Sequence, residues 1–189
     1  MFLDRDGVIN DLVWDERDGA YESPYAAAQV TLMPGVPEAL RSLAEHGYRL
    51  VVVSNQPGAA KRKASLDDLR SAHERVVETL AGHEVRLDGY WYCFHHPEGE
   101  EPGLTGPCSC RKPKPGLITQ AAGELGLDLR ASWMVGDADR DVEAGRSAGC
   151  RTVLVLNPAS QHRRNDRVEA DASAGDLAEA AAIITRSAG

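Results

Sequence analysis

The 189-residue chain contains no stretch long or apolar enough to span a bilayer, and Asp4 arrives before the apolar core of a signal peptide could form. A cytoplasmic protein without a membrane partner is the expectation. Positive charge is scarce. Lys and Arg total 21 against 29 Asp and Glu, a formal net charge of -8. That balance argues against a general nucleic-acid or anionic-membrane binder, whose affinity rests on basic surface, but permits a local basic pocket. Cysteine is also sparse, with four residues, yet Cys93, Cys108 and Cys110 fall within one short segment. In an intracellular chain, such clustering points to metal or catalysis and away from disulfides. Cys150, after Gly149 and before an apolar run, reads as a small buried hydrophobe. Repeats and low-complexity segments are absent as well, and the length fits a single domain over 1–189 that needs no partner copy, so a monomer is expected.

What is present alternates strands with helices. An apolar start, Phe2-Leu3, runs into Asp4-Arg5-Asp6-Gly7. Val8 to Met33 shows no helical or strand period and reads as a long, flap-like loop, a length usually reserved for lids and binding loops. Pro34 to Gly47 carries Val36, Leu40, Leu43 and Ala44 at helical spacing between an opening proline and a closing glycine. Leu50 to Val53 is a β-branched run suited to a strand buried on both faces, and it ends at Ser54-Asn55-Gln56. A helix from about Ser65 to Leu80 opens with Ser65 and Asp68 spaced as a capping box. Further strands are expected at Leu87–Tyr92, Ser132–Gly136 and Arg151–Leu156. Further helices are expected at 115–126, 138–148 and about 176–185, with a polar linker from Asn157 to Asp171. The alternation predicts an α/β fold, a Rossmann-like doubly wound parallel sheet.

Cys93-Phe94-His95-His96 and Cys108-Ser109-Cys110 bring three thiolates and an imidazole into one loop, 93–110, a donor set that matches a closed tetrahedral zinc site. His95 is the expected fourth ligand and His96 the alternative. A closed site leaves no position for chemistry, so this metal should shape the loop and thereby aim the basic sequence that follows, Arg111-Lys112-Pro113-Lys114.

In a parallel sheet the carboxyl ends of strands share one edge, where ligands bind. Asp4, Asp6, Ser54 and the acidic run Asp137-Ala138-Asp139-Arg140-Asp141 would all meet there. Converging carboxylates repel one another unless a hard cation joins them, and magnesium with oxygen ligands and a substrate phosphate suits the arrangement. Asp139 and Asp141 read more simply as acids favoured by the amino end of the next helix. A carboxylate can attack phosphorus, a second can move the proton, and a cation with a hydroxyl and a lysine can hold the transferring oxygens.

Through Asp4-x-Asp6-Gly7, Ser54, Lys112 and Gly136-Asp137-x-x-x-Asp141 the chain resembles the haloacid dehalogenase superfamily of phosphohydrolases. Through Asp4 to Asn10, Ser54-Asn55-Gln56, Cys93-x-His95-His96-Pro97 and Cys108-x-Cys110-Arg111-Lys112-Pro113 it resembles more narrowly the zinc-containing D-glycero-D-manno-heptose 1,7-bisphosphate 7-phosphatases, over nearly the whole chain. The resemblance implies Asp4 as nucleophile, Asp6 as general acid and base, Ser54 and Lys112 on the phosphoryl group, and Asn55 and Arg111 at a phosphorylated sugar. It also implies magnesium on Asp4, the Asp6 backbone carbonyl and Asp137, and no large cap domain. Lys114 competes with Lys112 for the phosphoryl role. A histidinol-phosphate phosphatase is the nearest rival, and its amine-bearing substrate would call for acids where a second phosphate calls for bases. Lys61, Arg62, Lys63 and Arg111 lean toward the bisphosphate. A non-catalytic zinc-stabilised binding protein and a nucleic-acid end-repair phosphatase are the remaining alternatives.

Overall fold

The computed structural model describes residues 1–165 and 168–187. Its elements are β1 (Phe2–Leu3), β2 (Val13–Asp15), β3 (Ala20–Glu22), α1 (Val36–Glu45), β4 (Val51–Asn55), α2 (Leu66–Gly82), β5 (Gly89–Cys93), α3 (Gly116–Leu125), β6 (Trp133–Gly136), α4 (Asp139–Ala148), β7 (Arg151–Val155), β8 (Ala172–Ala174) and α5 (Leu177–Arg186). Six strands form one sheet in the order β5-β4-β1-β6-β7-β8, with every pairing parallel. Short 3-10 turns lie at Ala27–Gln29 and Pro158–Arg163.

Side chains alternate across the strands and so build two cores. Leu3, Val52, Val135 and Val153 face Val36, Leu40, Leu43, Val76, Leu80, Leu177 and Ile184. Phe2, Val51, Val53 and Met134 face Leu117, Ile118, Ala121 and Ala144. Helices thus cover both faces, which is why the central strands are apolar without polar alternation. Burying each such side chain contributes about 1.5–3 kcal/mol before entropy is charged against it. β1 lies between β4 and β6, where the chain's winding reverses, and this is the position at which a doubly wound sheet opens a crevice at its carboxyl edge. Two residues suffice for β1 because Phe2 and Leu3 are buried and paired on both sides.

The expected strands and helices all appear, within two residues at most boundaries. Three features do not follow from periodicity. The loop expected over 8–33 contains the antiparallel β2–β3 hairpin, tipped by an edge-to-face pair of Trp14 and Tyr21 with ring centroids 5.4 Å apart. Its root is closed beside β1 by Asp11 N–H to Thr31 O (2.9 Å) and Met33 N–H to Ile9 O (3.0 Å). The stretch expected as a linker after β7, Asn157 to Asp171, contains the Pro158–Arg163 turn, and β8 follows directly after it where no strand was expected. Elements of three residues are too short to display a period, and the hairpin strands pair only with each other. Among the described residues no helix is long and apolar enough to cross a membrane.

The start of α2 forms as its sequence predicts. Ser65 Oγ accepts from Asp68 N–H (3.0 Å) while the Asp68 carboxylate accepts from Ser65 N–H (2.9 Å). Ser65→Ala should lower the unfolding free energy by about 1 kcal/mol, read as a lower urea midpoint at unchanged m-value.

Candidate active site

The carboxyl edge of the sheet is assembled from four strand ends. Asp4 leaves β1 with its N–H bonded to Val135 O of β6 (2.9 Å), so the nucleophile candidate is fixed between the two central strands. Gly7 follows at φ +86°, and a Cβ there would lie 2.1 Å from Asp137 Oδ2. Only glycine lets the turn after Asp6 pass that carboxylate. Asn157 holds the same turn from the far side, donating to Gly7 O (3.1 Å) while its own carbonyl oxygen accepts from Ala159 N–H (2.9 Å).

Asp4, Asp137 and Asp141 each bring a carboxylate oxygen within 4.8 Å of the others, and all three are buried. Lys112 enters this group with its side chain wholly buried, its Nζ 3.0 Å from Asp4 Oδ1, 2.6 Å from Asp141 Oδ1 and 2.8 Å from Val53 O. Burial alone would raise the Asp4 pKa, but Lys112, Arg140 and hydrogen bonds from Ser54 and Lys112 outweigh it and hold it below the usual range. Burial would likewise lower Lys112, and Asp141 and Asp4 reverse this, so the ammonium is held protonated. Asp137 differs. Burial first, then Asp141 and Asp4, push its pKa up to about 7. Neither of its carboxylate oxygens has a hydrogen-bond partner. Two orphaned, buried acceptors facing two further carboxylates are the donor set of a hard cation.

Asp141 therefore belongs to the site, which its reading as a helix-terminus acid did not include. It also accepts from Ala138 N–H (3.1 Å), so the helix-start role holds beside the second one. Asp139 keeps to the simpler reading, buried in the first turn of α4 and accepting from Asn165 N–H (2.8 Å). Asp6 is buried next to Asp4, but its carboxylate is turned away from the cluster toward Arg5, Gln56 and Asn10.

The second donor cluster is Cys93, His95, Cys108 and Cys110. Cys93 Sγ lies 3.6 Å from Cys108 Sγ and 3.0 Å from Cys110 Sγ, and His95 Nδ1 lies 3.7 Å from Cys93 and 3.6 Å from Cys110. These separations are too long for disulfides, at about 2.05 Å. All but the shorter Cys93–Cys110 pair are close to the ~3.8 Å between ligands of a tetrahedral zinc with Zn–S near 2.3 Å. His96 is excluded from the cluster. Its Nδ1 accepts from Glu98 N–H (3.2 Å), and its ring borders the active-site cavity. The residues of the cluster fit zinc, and they sit directly ahead of Arg111 and Lys112.

Asn55 connects the two clusters. Its amide donates to Lys112 O and accepts from Lys112 N–H, both at 3.0 Å, so the end of β4 grips the backbone of the lysine that the zinc loop delivers. Asn55 thus borders the cavity while both its polar atoms serve Lys112. Arg111 is tied to the loop through His95 O (3.1 Å). Lys114 bonds Cys108 O at the exposed side of the loop, which removes it as a rival to Lys112.

Beyond the carboxylates opens a cavity of about 280 Å³ lined by the cations Lys61, Arg111, Arg140 and Arg163 and the imidazoles of His96 and His162, against a single acid, Glu22. Arg140 has a buried Nε with no partner. Arg163 spans the mouth, donating to Tyr21 O of the hairpin (3.1 Å) and lying 3.6 Å from Glu22 and 3.8 Å from Asp137. Of the basic residues after β4, Lys61 reaches the cavity, whereas Arg62 pairs with Glu101 and Lys63 with Asp15 and Asp18 of the hairpin. Lys63 is thus a clasp on the flap. Arg140, His162 and Arg163 were not singled out in the sequence. The signal available was a run of three bases, His162-Arg163-Arg164, in an acidic chain.

Comparison with known proteins agrees with this geometry. A family profile described as HAD-hydrolase-like matches residues 109–180. The D-glycero-beta-D-manno-heptose-1,7-bisphosphate 7-phosphatase of Yersinia pestis is 35% identical over 179 residues, 95% of this chain and 91% of that protein. The enzyme of the same name from Pasteurella multocida is 42% identical over 156 residues, 82% of this chain and 80% of that protein. Among solved structures, the D,D-heptose 1,7-bisphosphate phosphatase of B. bronchiseptica, complexed with magnesium and phosphate, superimposes with a TM-score of 0.80 at 27% identity, covering 99% of this chain and 98% of that one. With the parallel sheet, the flanking helices and relatives matched over almost its full length, the chain belongs to the heptose-bisphosphate phosphatase family of HAD-like hydrolases.

Proposed function

We propose that the protein is a magnesium-dependent phosphatase that removes the 7-phosphate of D-glycero-D-manno-heptose 1,7-bisphosphate through an aspartyl phosphate on Asp4. The observation that carries this reading is the convergence of Asp4, Asp137, Asp141 and Lys112 beside a cationic cavity. In the first step an Asp4 carboxylate oxygen attacks phosphorus, the ester P–O bond breaks, and Asp6 gives a proton to the departing sugar oxygen. In the second, Asp6 takes a proton from water as its oxygen attacks the same phosphorus, releasing phosphate and restoring Asp4. Ser54 and Lys112 hold the non-bridging oxygens, with Asp141 as the counter-ion that keeps the ammonium in place. Asp4, Asp137 and the Asp6 backbone carbonyl would hold magnesium, which supplies positive charge against the phosphoryl oxygens.

The four cations of the cavity, Lys61, Arg111, Arg140 and Arg163, suit the phosphate that the substrate retains. The lone acid Glu22 already faces Lys61 (3.9 Å) and Arg163 (3.6 Å), which leaves nothing to receive the amine of histidinol phosphate. Zinc on Cys93, His95, Cys108 and Cys110 is structural in this reading. The protein acts as a cytoplasmic monomer with one phosphatase domain, without nucleic-acid or membrane partners.

Turnover of heptose 1,7-bisphosphate should exceed that of histidinol phosphate by orders of magnitude; the reverse preference would overturn the substrate assignment. Asp4→Asn should lower phosphate release by at least about 10³-fold while zinc content and circular dichroism stay unchanged. Undiminished release would remove Asp4 as nucleophile. Arg163→Met should raise KM for the bisphosphate about tenfold or more with a smaller effect on heptose 7-phosphate, because the lost charge faces the retained group. Because the Asp137 pKa is raised to about 7, a proton must leave before a cation binds. Apparent magnesium affinity, followed by calorimetry, should therefore climb with pH between about 5 and 7 and level off above.

A further inference from the structure

Asp6 is enclosed by a set of side chains that the phosphoryl chemistry does not itself require. Arg5, 1% exposed, donates through Nε to Asp6 Oδ1 (2.9 Å) and through Nη2 to Asp6 Oδ2 (3.3 Å). Asn10 donates to Oδ1 (2.9 Å) and Gln56 Nε2 to Oδ2. Four N–H donors converge on one carboxylate, so one of them must yield its position when Asp6 carries the proton it hands to the leaving oxygen. Arg5 is itself held on two sides. Its Nη2 also donates to Gln56 Oε1 (2.9 Å), and its guanidinium carbon lies 5.6 Å from the centroid of the Tyr92 ring. The Tyr92 hydroxyl in turn bonds His73 Nδ1. A buried arginine and carboxylate cost several kcal/mol of desolvation each, and apolar residues of the same volume often serve stability as well or better. The expense points to placement and not to folding energy.

We propose that Arg5, Gln56 and Tyr92 are positioning residues that set the direction from which Asp6 meets the leaving oxygen. Gln56 is central because it touches three partners at once: Asp6, Arg5 and, at 3.2 Å, the hydroxyl of Ser54. One amide therefore ties the proton-handling carboxylate to the side chain that grips the phosphoryl group. With Gln56 absent, Asp6 keeps its Arg5 fork, but the fork loses its lateral stop. A misplacement of about 1 Å at a reacting group costs on the order of a hundredfold in rate.

This inference rests on Asp6 as the general acid, and leaving-group dependence tests the two separately. An alkyl phosphate such as the heptose ester needs a proton on its departing oxygen, whereas p-nitrophenyl phosphate releases a stable anion. kcat/KM covers events only through release of the alcohol, so the later hydrolysis of the aspartyl phosphate does not blur it. Gln56→Met should lower kcat/KM for heptose 1,7-bisphosphate about tenfold or more beyond its effect on p-nitrophenyl phosphate, the loss common to both esters reporting the bond to Ser54. Tyr92→Phe, a mild change remote from the phosphate, should show the same split at about threefold and serves if Gln56→Met does not fold. Equal losses on both esters, or none on either, would overturn the proposal. Asp6→Ala measured in parallel separates the causes. A split there with flat results for Gln56→Met and Tyr92→Phe removes the positioning role alone, while no split for Asp6→Ala removes the acid on which it depends.

Discussion

Lys112 is the charge on which the site depends. Asp4, Asp137 and Asp141 could not be packed within 4.8 Å of one another in a dry crevice without a cation among them, and among the described residues the ammonium buried with them is this one. At about 3 Å and an effective dielectric near 20, each attraction is on the order of 5 kcal/mol, enough to offset much of the desolvation of the partners. The arrangement divides the carboxylates into two kinds. Asp4 and Asp141 have the lysine, and Asp4 stays below the usual acid range as a result. The Asp137 carboxylate has no hydrogen-bond partner among the described residues and rises to about 7, which marks it as the acid with coordination to spare. Two different environments for one residue type thus emerge from the position of one amine.

That position is set from a distance. Lys112 lies on no strand or helix, and it is steered by Asn55 at the tip of β4 and by the Cys/His cluster that precedes it. The flap is steered in the same indirect way, with Lys63 clasping Asp15 and Asp18 and Arg163 holding Tyr21 and Glu22. A sheet edge with two anchored loops stands here where a separate cap would, bounding a space of about 280 Å³.

Strands and helices were legible where their periods ran long enough: Leu50–Val53 announces a strand buried on both faces, and Ser65 with Asp68 announces the start of α2. The site was legible where it stands at strand ends, as with Asp4, Ser54 and Asp137. The hairpin was hidden because three residues carry no period. Arg163 was hidden because its meaning depends on Tyr21 and Asp137, more than a hundred and about twenty-five positions away in sequence, and only the fold brings them together. Asp141 was read from its local chemistry, which is real, while its second partner Lys112 comes from another loop. Asp6 shows the same limit: its place beside Asp4 could be read, but of the side chains around it only Arg5 and Asn10 are sequence neighbours, while Gln56 comes from the turn after β4 and Tyr92, behind Arg5, from β5.

The Cys/His cluster has a further consequence, for chain entropy. Cys93 and Cys110 are 17 residues apart, and a zinc ion joining them ties off a loop as a cross-link would. For a loop of about 15 residues such closure is worth about 3 kcal/mol relative to the open chain. Immobilising a long side chain like that of Lys112 costs up to about 2 kcal/mol. With an ion bound, that closure would offset the ordering cost of the lysine next to it before any substrate arrives.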